Sequence, residues 1–179
     1  MSTKIASFSM DLHPGYQVYT ALYTNVTNTG QIRNKLIKSS MNCTLLNCAL
    51  VPGVFPVLLA CNKAVRACKT SSMKTRTLRT EILFNLSPSN SINGSLKTFR
   101  LEDSDRSILF VFITDNESSL KEFKDMLTEV KGEAVITDEI ANLCDMSKIK
   151  SLYKVTEDEL CLGSISDSVS MRVATKDAF

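Results

Sequence analysis

Six cations fall within 17 residues of one another: Lys63, Arg66, Lys69, Lys74, Arg76 and Arg79. Hydroxyl side chains lie among them, at Thr70, Ser71, Ser72, Thr75 and Thr77. Ammonium and guanidinium groups hold phosphates by charge, and hydroxyls add hydrogen bonds to the same oxygens, so this mixture suits a polyanion. A solvated basic surface would have the same composition. The charge map sharpens the question. Residues 1–80 hold ten Lys and Arg against one Asp, whereas residues 81–179 hold eleven against eighteen Asp and Glu. A cationic half would release counterions from a nucleic acid. Folding that interleaves the halves would erase the asymmetry.

The residues offer little for bond-making chemistry. There is no phosphate-loop, dinucleotide-binding or zinc-protease motif. One histidine, His13, is available for a nucleophilic triad, and it sits in His13-Pro14-Gly15, where a solvated turn is expected. The pairs Glu102-Asp103 and Asp138-Glu139 are adjacent in sequence, so their carboxylates splay apart as solvated charge. The six cysteines, Cys43, Cys48, Cys61, Cys68, Cys144 and Cys161, include no C-x-x-C pair, and His13 is remote from them. They read as reduced thiols used as small apolar side chains, with no metal site and no cofactor implied. Binding is therefore the better class than catalysis. A small enzyme with an unrecognised carboxylate or thiol site is the rival.

These side chains need elements to position them. Lys4 to Leu12 and Tyr16 to Tyr23 read as an antiparallel hairpin around Pro14-Gly15, with Tyr16, Val18, Thr20 and Leu22 on one face. A helix is expected from Thr29 to Ser39, with Ile32, Leu36 and Ile37 inward. Leu45 to Val51 reads as a short strand or buried connection. A second helix, Phe55 to Lys69, gathers Leu58, Cys61, Val65 and Cys68 on one face. In Thr80 to Leu86, Ile82, Phe84 and Leu86 alternate with more polar residues, which predicts a strand. A polar turn follows, then a helix with Ile92, Leu96 and Phe99 on one face. The unbroken apolar run Ile108 to Ile113 predicts a central strand covered on both sides.

Glu117 to Val130 forms an amphipathic pattern stopped by Gly132, and Ala134 to Ile136 suits a short edge strand. Two short helices are expected, Asp138 to Leu143 and Ser147 to Tyr153. Thr156-Glu157-Asp158-Glu159 is a capping box opening the last helix, whose stripe is Leu162, Ile165 and Val169. The tail, about 171–179, reads as exposed.

The 179 residues, with 44% hydrophobic and 22% charged side chains, suit one globular domain. The expected class is α+β, a mixed or mainly antiparallel sheet with helices packed on it. No apolar run approaches the ~20 residues of a membrane span. The start, Met1 to Ala6, lacks the apolar core of a signal peptide. Without such a signal, the sequons at Asn25, Asn42, Asn85, Asn93 and Asn116 read as chance.

The run Met73 to Leu86 closely resembles the family of the KEOPS (EKC) complex subunit that binds the p53-related protein kinase. The likeness extends to Phe55, Leu58 to Ala60, Asn62-Lys63-Ala64-Val65 and Thr175-Lys176-Asp177. It departs at Val54-Phe55-Pro56, where relatives commonly have Pro-Phe-Gln, and at Phe99-Arg100-Leu101, where they tend to have Phe-Gly. The resemblance implies a non-catalytic effector in cytoplasm and nucleus. It would bind a small atypical kinase/ATPase, meet other KEOPS subunits through it, and support threonylcarbamoyl-adenosine formation at position 37 of tRNA. It further implies possible contact with the single-stranded tRNA 3′ end. RNA contact would fall to Lys63, Arg66, Lys69, Lys74, Arg76 and Arg79. The kinase side would fall to Leu162, Ile165, Val169, Thr175 and Lys176. A diverged interaction module of the same fold without tRNA contact is the alternative.

Overall fold

The computed structural model describes residues 4–39 and 42–178. Its frame is an antiparallel sheet. Strands β1 (Ile5–Ser9) and β2 (Gln17–Thr24) form the expected hairpin. Gly15 turns it at φ +93°, in the left-handed region where a Cβ would be strained. Strand β3 (Cys43–Asn47) lies at one edge and β4 (Ile108–Thr114) between β2 and β3, giving the order β1-β2-β4-β3. Every residue of β4 is buried, as its unbroken apolar run requires. The short β5 (Glu133–Val135) pairs with Leu22 to Thr24 of β2, beyond the end of β1. Gly132 precedes it because a Cβ there would lie 2.8 Å from the Thr24 carbonyl oxygen.

Side chains alternate across the sheet and feed two cores. One face carries Val18, Leu22, Leu46, Leu109, Val111 and Ile113. It is covered by α2 (Val54–Lys69), α3 (Leu78–Leu86), α7 (Met146–Tyr153) and α9 (Ile165–Thr175). The other face carries Ala21, Tyr23, Cys43, Phe110 and Phe112 against α1 (Thr29–Lys38) and α5 (Glu117–Leu127). There Phe112 and Phe123 stack at 4.7 Å. Helices α4 (Ile92–Thr98), α6 (Ile140–Leu143) and α8 (Glu157–Leu162) are short connectors. The architecture is α+β. No helix among the described residues is long and apolar enough to cross a membrane.

Several expectations need correction. Thr80 to Leu86 is helix, part of α3, not strand. Leu78, Ile82 and Leu86 repeat every four residues, and Thr77 caps the helix reciprocally with Thr80. Because α3 buries Leu78, Glu81, Ile82, Phe84, Asn85 and Leu86, it has no polar face to betray its period. On α2 the buried face is Val57, Ala60, Cys61, Ala64 and Val65, so Cys68 is exposed. Ile37 lies outside the α1 stripe set by Ile32 and Leu36 and is 62% exposed. The single last helix is instead two. Thr156 and Glu159 cap α8 as read, Gly163 ends it, and a second box of Ser164 and Asp167 opens α9.

His13 is not a solvated turn residue. The hairpin turn folds onto α2, where the ring Nε2 lies 3.2 Å from the Asn62 carbonyl oxygen. Nor is the stretch from 171 exposed throughout. Val173 and Lys176 are buried, and a 3-10 turn spans Lys176–Ala178; Phe179 lies outside the described residues, as do Met1 to Thr3 of the start.

Candidate functional site

The basic loop between α2 and α3 is held by one buried carboxylate. Glu81 accepts from the backbone N–H of Lys74 (3.1 Å), the backbone N–H of Thr75 (2.8 Å) and the Thr75 hydroxyl (2.7 Å). At the α2 end, the Thr70 hydroxyl lies 2.7 Å from that of Ser72, and Ser71 takes a left-handed turn at φ 52°. Loop residues then divide between two cavities. Ser72 and Lys74 line one cavity, while Met73, Arg76 and Thr77 line another.

The first cavity is an open groove of about 970 Å³ between α2, the loop, α3 and the end of α9. Its cations are Lys63, Arg66, Lys74 and Lys176; its carboxylates are Glu81 and Asp177. Lys63 Nζ donates to the Val173 carbonyl oxygen at 2.8 Å and meets Asp177 Oδ2 at 2.9 Å. Lys176 Nζ donates to the Phe84 carbonyl oxygen and sits 3.5 Å from the centroid of the Phe84 ring. Burial lowers the Lys176 ammonium to about 8, and repulsion from Lys63 adds to this, against the opposing pull of Asp177 and Glu81. Asn85, in the same wall, is buried, and its amide nitrogen has no hydrogen-bond partner. A buried unpaired donor is costly unless a ligand meets it.

The six cations read from the sequence are thus divided. Lys63, Arg66 and Lys74 meet in the groove. Lys69 lies 4.9 Å over the Tyr16 ring, and Arg76 faces the neighbouring cavity of about 410 Å³ beside Tyr16, Asn42 and Asp115. Arg79 is tied to α1, donating to the Leu36 carbonyl oxygen at 2.6 Å. The charge halves are partly interleaved by the ion pairs Arg33–Asp103, Lys35–Glu129 and Lys63–Asp177.

The candidates for a second partner also divide. Leu162, at the end of α8, is 92% exposed, while Ile165 and Val169 are buried in the core beneath α9. Thr175 is half-buried and its hydroxyl donates to the Met171 carbonyl oxygen at 2.8 Å. Lys176 belongs to the groove. Arg172 clamps α8 to α9, donating to both Glu159 oxygens at 2.9 and 3.0 Å. Phe55 and Met171 add exposed apolar side chains on α2 and α9.

Glu81 and Asn85 escaped sequence reasoning because the strand expectation hid their common helix. The four-residue repeat of Leu78, Ile82 and Leu86 was the available signal. Among the described residues no group of three or more His, Cys, Asp or Glu is placed to hold a metal ion. Burial pushes the Cys48 thiol up to about 12 and raises Cys43 and Cys61 as well, whereas Cys68 and Cys161 are exposed.

Comparison with known proteins bears on this arrangement. The family described as "Kinase binding protein CGI-121" matches residues 23–177. A Danio rerio protein named EKC/KEOPS complex subunit TPRKB is 35% identical over 168 residues, covering 94% of this chain and 95% of its own. The Schizosaccharomyces pombe protein named EKC/KEOPS complex subunit cgi121 is 27% identical over 169 residues, covering 91% and 97%. A Yarrowia lipolytica relative of the same complex-subunit name is 28% identical over 141 residues, covering 78% and 80%. The family match runs from the end of β2 through the groove residues to α9, and by it and the Danio rerio relative this chain belongs to the CGI-121 family of kinase binding proteins.

Proposed function

We propose that this protein is a non-catalytic subunit of a KEOPS/EKC complex that binds the complex's small atypical kinase and supports threonylcarbamoyl-adenosine modification of tRNA. The observation that carries the reading is the near full-length similarity to proteins named as subunits of that complex. The groove supports a second role within it. Lys63, Arg66 and Lys74 line one open groove with hydroxyls beside them, a surface that can follow a single-stranded RNA backbone. The kinase contact falls to the surface of α8 and α9, where Leu162, Met171 and the half-buried Thr175 are accessible. Ile165 and Val169 support that surface from below.

Co-purification with the kinase tests the first role. A stable one-to-one complex is expected; failure to recover the kinase, where a control subunit recovers it, overturns the reading. For the RNA role, Arg66→Glu with Lys74→Glu should weaken tRNA binding and make its salt dependence shallower. Unchanged affinity removes the groove from consideration.

A further inference from the structure

We propose that the Asp177 carboxylate marks a phosphate subsite in the groove and occupies it in place of the ligand. The proposal rests on the RNA reading above. Asp177 Oδ2 lies 2.9 Å from Lys63 Nζ, and its side chain is 70% exposed whereas that of Lys63 is 19% exposed. A largely exposed carboxylate is therefore paired with a mostly shielded cation. Lys63 is fixed by more than this pair, since its ammonium also donates to the Val173 carbonyl oxygen at 2.8 Å. An incoming anion at this position would find the cation already oriented.

The surroundings suit more negative charge than Asp177 brings. Lys176 is buried beside Lys63, and the two ammonium groups repel one another. Arg66 and Lys74 line the same groove. Asn85 borders the same groove, its amide nitrogen buried without a partner. A phosphodiester matches a carboxylate in charge and free oxygens but continues along a chain of like groups, so it can engage Lys63 while its neighbours meet Arg66 and Lys74.

The exchange has a consequence for the 3-10 turn Lys176–Ala178. Its carboxylate leaves Lys63 when RNA arrives, so the turn loses its ion pair to α2. By linkage, a partner that draws the turn away from Lys63 raises the groove's affinity for RNA, and RNA eases capture of the turn by that partner.

The test uses the full-length protein and a fluorescein-labelled single-stranded RNA of ten nucleotides, followed by anisotropy at low salt. Asp177→Asn should bind about threefold tighter or more than the wild type, the scale set by a largely exposed ion pair. Asp158→Asn, the same charge change at an exposed position of α8, should leave affinity within about twofold. Equal tightening by both variants means a long-range charge effect and overturns the subsite. Unchanged or weaker binding by Asp177→Asn overturns it too, and the RNA reading survives if Arg66→Glu with Lys74→Glu still loses affinity. No binding by the wild type or by Asp177→Asn removes both.

Discussion

Thr75 is bound twice by Glu81, through its backbone N–H at 2.8 Å and its hydroxyl at 2.7 Å, so a buried carboxylate on a helix fixes the loop that carries the basic residues. The loop geometry is a property of α3 rather than of the cations. Glu81→Ala leaves the Lys74 and Thr75 N–H groups without their acceptor. A loss of about 2–3 kcal/mol is expected from hydrogen bonds to a charged group, read as a lower urea midpoint. Faster amide exchange across residues 72–77 should accompany it.

Lys176 sets a pH dependence. Its ammonium is lowered from an ordinary 10.5 to about 8, chiefly by burial. Between these values the unfolded chain binds the proton that the folded protein has released, so stability rises with pH through that window. Charged Lys176 is thus unfavourable below about pH 8, and the penalty fades toward pH 10.5. Chemical denaturation at intervals from pH 7.5 upward should show wild type gaining on Lys176→Met. A flat difference contradicts the assignment. The charged neighbours acting on Lys176, Lys63, Asp177 and Glu81, are unchanged in both proteins.

Tyr153 joins α7 to α3. It is 2% exposed, and its hydroxyl donates to the Leu86 carbonyl oxygen at 2.8 Å. Tyr153→Phe keeps the ring and loses the bond, at about 1 kcal/mol. Tyr153→Ala also opens a cavity and should cost about 3–5 kcal/mol. Thermal unfolding of the two variants separates the contributions.

Thiol chemistry divides the cysteines. Cys43, Cys48 and Cys61 are buried, with thiols shifted up by burial, while Cys68 and Cys161 are exposed. Iodoacetamide at pH 8 should modify Cys68 and Cys161 first and reach the buried three only in denaturant, as peptide mass spectrometry would report. Early labelling of Cys61 would mean that α2 separates from the sheet under native conditions.

How far the sequence could be read depended on whether a signal was local. Pro14-Gly15 and the run Ile108 to Ile113 each carry their own evidence, and the hairpin and the buried β4 follow from them. Thr156 and Glu159 likewise declared their capping box. The strand expectation for Thr80 to Leu86 failed because Ile82 and Leu86 satisfy both a two-residue and a four-residue repeat, and burial of α3 on several sides removed the contrast between them. The second box, Ser164 and Asp167, was legible after Gly163 and would have divided the last helix. The groove was not legible as a place. Lys63, Arg66 and Lys74 are close in sequence, but Lys176 and Asp177 join them only once α9 has docked on α2.

One flank of β2 is shared end to end, β1 covering Gln17 to Ala21 and β5 covering Leu22 to Thr24. That side of the sheet therefore offers a visiting molecule two short staggered ladders, five and three residues long, in place of one continuous template. The shortness of each ladder discourages self-association through strand addition there.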